Sequence, residues 1–218
     1  MKNKLLIVMV MCVSMAFSAA PLRAEASAMD HRQGHQGYVS PATVKLKEDM
    51  RRLWIDHVVW TRSYIVSALA GLEDQSVVLE RLLRNQQDIG NAIKPYYGEA
   101  AGDKLAALLR DHITIAGKLV GALKSGNQAD AEKFNKEWYK NADDIAAFLS
   151  SANPNWTENQ LKELLYMHLQ LLASDVSARL QKDWRASVAA LDKGMDHIIM
   201  MADVLSEGII KQFPQRFN

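Results

Sequence analysis

The chain lacks a usable thiol. Its one cysteine, Cys12, falls inside an N-terminal stretch that reads as an export signal. Without that stretch there is no disulfide, no thiolate nucleophile and no cysteine metal ligand, so packing alone must hold the fold. Proline is scarce, and beyond the signal Pro41, Pro95, Pro154 and Pro214 each mark the start or stop of a helical stretch. No convincing alternating strand pattern appears. One long hydrophobic run exists, Leu5 to Phe17, and it is too short to span a membrane comfortably. An excess of one charge is also missing. Removing Lys2, Lys4, Arg23 and Glu25 with the signal takes the totals of 26 basic and 25 acidic side chains to 23 and 24. That balance excludes a nucleic acid or an anionic membrane as the expected partner.

Enzyme signatures are absent too. There is no Glu-x-x-His pair of the ferritin-like di-iron kind. HExxH, G-x-S-x-G, P-loop, GxGxxG and CxxCH motifs are likewise missing. These absences lean the expectation away from an enzyme.

What is present begins with targeting. Lys2 and Lys4 form a positive n-region, the apolar run follows, and Ala24 and Ala28 both fit the position before a cleavage site. The expected organisation is a signal over 1–28, a flexible polar arm over 29–40 and one helical domain over 41–214. The mature protein is expected outside the cytoplasm, whether secreted, periplasmic or in the cell envelope. Cleavage after Ala28 would begin the mature chain Met29-Asp30-His31. A free amine, two amides and His31 make a square-planar Cu(II) or Ni(II) chelate, with His35 as a further ligand; cleavage after Ala24 would lose it. The plainer reading of this stretch is a polar arm.

The domain reads as an all-α, up-and-down bundle of about six helices. Ser40-Pro41 starts the first as N-cap and N1. Lys94-Pro95, Gly126, Asn153-Pro154 and Pro214 end later ones, and Thr157-x-x-Gln160 is a capping box. Between the fifth and sixth helices there is no Gly or Pro, so one long bent helix is an open alternative there.

Residues 79–124 and 135–180 read as two copies of one helical hairpin. The first carries Arg84-Asn85-x-x-Asp88-Ile89 and then Leu105-x-x-Leu108-Leu109-x-x-His112. The second carries Lys140-Asn141-x-x-Asp144-Ile145 and then Leu161-x-x-Leu164-Leu165-x-x-His168. An offset of 56 holds throughout, and it repeats Asn, Asp and His along with the leucines. In antiparallel hairpins, residues equidistant from a turn share one height. That places His57, Asn85, Asp88, His112, Asn141, Asp144, His168 and His197 in one slab of the bundle.

Three readings follow from the slab. It is a satisfied buried network that fixes the fold. It is a site for a divalent transition metal (Zn, Cu, Ni or Fe) on His57, His112, His168 and His197, with Asn85, Asp88, Asn141 and Asp144 binding or orienting. Or it is a small-molecule or catalytic pocket using the same groups as acid and base. The expectation adopted is binding of a metal ion or small ligand. A structural or partner-binding bundle comes second and a metal-dependent enzyme third. Arg62, Asp203 and Glu207 are further polar residues that either join the slab or stay solvated.

Four stretches carry a resemblance. They are Leu53-Trp54-x-x-His57-Val58-x-Trp60-Thr61-Arg62, Leu82-Leu83-Arg84-Asn85-x-x-Asp88-Ile89-Gly90-Asn91-Ala92-x-Lys94-Pro95, Trp138-Tyr139-x-Asn141-Ala142-Asp143, and Met201-Ala202-Asp203 through Phe213-Pro214. Through them the chain resembles an uncharacterised family of bacterial, often exported, helical proteins. Members often carry transferred enzyme names, such as glycosyltransferase or acetylglutamate kinase. Those activities belong to α/β folds with glycine-rich nucleotide loops, and this sequence has neither feature. The resemblance implies an exported helical bundle and no established functional residues.

Overall fold

The computed structural model describes residues 39–218. The expected signal and residues 29–38 of the arm, with His31 and His35, lie outside the described residues.

Six helices follow one another: α1 (Pro41–Ala70), α2 (Gln75–Tyr97), α3 (Glu99–Ser125), α4 (Gln128–Ala152), α5 (Glu158–Leu180) and α6 (Trp184–Gln212), with a short 3-10 turn at Pro214–Arg216. There is no strand among the described residues. Short connections force antiparallel neighbours. Each helix packs on the next, and α6 returns to α1, so the bundle closes into a ring. Within the ring, α1 also reaches across to α3 and α5. The odd-numbered helices therefore meet at the axis, and what they carry on their inner faces meets there too.

Local chemistry sets the ends. Ser40, Asn127, Thr157 and Asp183 each accept a backbone N–H from the first turn of the helix that follows. Gly71 and Gly126 close α1 and α3 in the left-handed region. One expected boundary shifts and one open alternative closes. Pro95 does not stop α2, which runs one half-turn further to Tyr97. The gain lies in the two tyrosines: Tyr96 stacks on Phe217, and the Tyr97 hydroxyl donates to Gln212 (2.8 Å). The α5–α6 junction is a true break, made without glycine by Lys182 at φ +59°.

The core is an apolar interior along the axis, in one larger and one smaller cluster. Met50, Trp54, Ile89, Leu105, Ile145, Leu161, Met201 and Ile209 are all buried. Trp54 is buried, whereas its neighbour Leu53 is half-buried. Close helix approach occurs at Gly90, where an added methyl would meet the Gly102 carbonyl at 2.5 Å. On the α1–α6 seam, Arg51 pairs with Asp203 (2.7 Å) and Lys47 with Glu207 (3.2 Å). These pairs put Asp203 and Glu207 on the surface, outside the polar slab.

Candidate functional site

Near the middle of the bundle the apolar core is interrupted by His57 on α1, His112 on α3 and His168 on α5. All three are buried. The His57 and His168 rings lie 5.6 Å apart, and the His112 and His168 rings 6.2 Å. Helices that meet at the axis thus bring together three histidines that are far apart in sequence.

Around them runs a repeated hydrogen bond. Asn85 Nδ2 donates to the Leu53 carbonyl (3.0 Å), Asn141 Nδ2 to Leu108 (3.1 Å) and His197 Nε2 to Leu164 (2.8 Å). Each accepting leucine lies four residues before one of the axial histidines. The pattern therefore occurs three times, on α1–α2, α3–α4 and α5–α6. The sequence reading saw two copies, because His197 stands where the other two have asparagine.

His112 is fully occupied. The Trp138 indole N–H, which can only donate, reaches His112 Nε2 (3.0 Å). Nδ1 therefore carries the proton, and it donates to Asn141 Oδ1 (2.7 Å). His197 is spent on its carbonyl. Asn85 accepts from Gln86 Nε2 (3.2 Å) through its remaining oxygen. Asn85, His112 and Asn141 thus spend their side-chain polar atoms on protein partners, and His197 spends its Nε2.

His57 and His168 differ. His57 Nδ1, Gln86 Oε1 and Thr61 Oγ1 are buried without a hydrogen bond of normal geometry, and Gln86 approaches His57 closely enough to favour its protonated form. His168 makes no hydrogen bond among the described residues. Burial drives the charge off these rings. It pushes His57 down to about 3, with His112 adding to the effect and Gln86 opposing it. Burial pushes His112 down to about 4, against its bond to Asn141. His168 is held well below the usual histidine range by burial and then by the other three histidines. All three rings are neutral at physiological pH, the form in which an imidazole binds a metal.

The two expected aspartates do not belong to the slab. Asp144 is exposed and pairs with Lys140 (2.8 Å); Asp88 is half-buried with no partner in the layer. The reason is angular. A residue three places after Asn85 or Asn141 lies about 60° round the helix from it, which turns the carboxylate outward. The buried carboxylate nearest the layer is instead Asp175 on α5. It accepts from Arg62 and from Ser187 Oγ (2.7 Å). Arg62 thus joins a buried ion pair at the edge of the site. Among the described residues, no three His, Cys, Asp or Glu side chains are placed to hold one metal ion together.

A cleft of about 30 Å³ between α1, α5 and α6 leads to His168, with Thr61, Arg62, Asp175 and Gly194 on its walls. Thr61, Gln86, Trp138 and Gly194 were missed as site residues. Trp138 and Gly194 had one legible signal, since they stand 56 residues apart in register. Compared with known proteins, the chain matches no family model, no curated protein and no solved structure.

Proposed function

We propose that this is a non-enzymatic binding protein, acting outside the cytoplasm, that holds a metal ion or small ligand between His57 and His168. The observation that carries the reading is the contrast within the layer. Asn85, His112 and Asn141 are used up by protein partners and His197 has its Nε2 on a carbonyl, while the His168 ring makes no hydrogen bond and His57 Nδ1 none of normal geometry. A buried polar group without a partner costs about 1–3 kcal/mol, so a loosely held His57 beside an unbonded His168 is the place in the layer where a ligand has donors to meet.

The donor set narrows the metal. A structural zinc centre takes four protein ligands, and His57 with His168 gives two neutral nitrogens. Among the described residues the nearest buried carboxylate, Asp175, lies at the edge of the layer and is held by Arg62 and Ser187. Zn, Ni or Fe would have to complete its shell with water or an exogenous group.

The second reading, a purely structural layer, is favoured by the thrice-repeated bond to a leucine carbonyl. One experiment separates the two. The exported protein is purified without chelator or tag, then examined by elemental analysis and native mass spectrometry, with and without added metal. His57→Gln and His168→Gln should each lose the bound species. His112→Gln should keep it while losing about 1–3 kcal/mol of stability. A parent that neither carries nor takes up any ligand would overturn the binding reading and leave the structural one.

A further inference from the structure

The thrice-repeated pattern has one irregular position. Leu82, Trp138 and Gly194 are spaced by 56 residues and occupy the same place in α2, α4 and α6. Leu82 is buried, and Trp138 covers His112 and bonds its Nε2. Gly194 covers nothing. A methyl added there would find no atom within 4 Å. The cleft that reaches His168 opens over this gap. Its volume of about 30 Å³ holds roughly two water molecules, since one needs about 10–15 Å³. An ion passes such a slot; an organic cofactor does not.

Charge selects among ions. The cost of burying an ion grows with the square of its charge, and it is repaid only by nearby opposite charge. Among the described residues, the carboxylate lining the slot is Asp175, and it is already held by Arg62 and Ser187. The pair itself consists of neutral nitrogens. Coordination number points the same way: two imidazoles complete the shell of a two-coordinate monovalent ion and leave a zinc ion half-bound. The ring centres are 5.6 Å apart, so an ion with metal–nitrogen bonds of about 2 Å is bound linearly once the rings open by roughly half an ångström.

We propose that His57 and His168 form a site for a monovalent d10 metal ion, of the Cu(I) class, loaded through the slot over Gly194. This rests on the binding reading above and names its ligand and its route.

The test titrates the full mature protein with Ag(I), a redox-inert member of that class, and separately with Zn(II), both in chloride-free buffer. Variants are His57→Gln, His168→Gln and Gly194→Leu, the last restoring the residue found at position 82. His31 and His35 are unchanged in every variant, so differences report the pair alone. The expected result is Ag(I) bound tighter than Zn(II) by on the order of 100-fold, and lost in either His variant. In Gly194→Leu, uptake should slow at least about tenfold with no fall in thermal midpoint, because the space exists. Zn(II) bound as tightly through the same pair overturns the monovalent assignment and leaves the binding reading standing. Ag(I) uptake unchanged in Gly194→Leu overturns the slot. No pair-dependent uptake of either ion overturns the whole proposal.

Discussion

Single residues decide what the polar layer can do. Trp138 fixes the tautomer of His112, and Asn141 bridges that ring to the backbone of α3. Trp138→Phe would leave His112 Nε2 buried and unpartnered, at a cost of about 1–3 kcal/mol. Asp144→Ala should change stability by less than about 0.5 kcal/mol, because the exposed pair with Lys140 contributes little. Urea denaturation of both variants checks the contrast; equal losses would mean the layer does not depend on this bond. The layer itself was legible in the sequence, because a polar residue recurring at a core position on several helices has few other places to go. The roles within it were not. Whether His112 is free or capped depends on an indole that arrives from another helix, 26 residues on. The aspartates at 88 and 144 repeated along with the asparagines, yet a helical turn has 3.6 residues, and three steps suffice to carry them out of the layer.

At the scale of elements, caps and breakers placed the helix ends well where one residue type does the work. Ser40, Thr157 and Gly126 are examples. The reading failed where tertiary contacts outweigh local preference. Pro95 lies inside α2 because Tyr96 and Tyr97 beyond it are anchored on Phe213, Phe217 and Trp156. The α5–α6 turn was ambiguous because its left-handed residue is a lysine. A side chain in that region costs about 1 kcal/mol, and the turn is held by the Asp183 N–H on the Ala178 carbonyl (2.9 Å) and by Asp183 capping α6. Lys182→Gly should therefore raise stability by about 0.5–1 kcal/mol, seen as a higher thermal midpoint. Lys182→Val should lower it. The opposite order would show that the Lys182 side chain, and not its backbone, sets the junction.

For the whole molecule, closure of the ring gathers the low-affinity protons of three helices into one layer. No disulfide resists acid, since Cys12 is the only cysteine, so the layer should dominate the pH response. The sign follows from the shifts. His57 at about 3 and His112 at about 4 lie below the usual histidine value of 6.5, and His168 is lowered too. The unfolded chain therefore binds more protons than the folded one below pH 6.5. Stability from these rings is complete above that value and is lost as pH falls through it, each ring costing on the order of 1 kcal/mol per pH unit. The loss from His112 ends near pH 4 and that from His57 near pH 3. Urea unfolding at pH 7, 6 and 5 should show a steep decline in the parent. The decline should be shallower by about one proton in His112→Gln, however much that variant is destabilised at pH 7. A flat profile between pH 7 and 5 would mean the rings are already hydrated or protonated in the folded state. In that case neither a dry layer nor neutral imidazoles would be waiting for an ion.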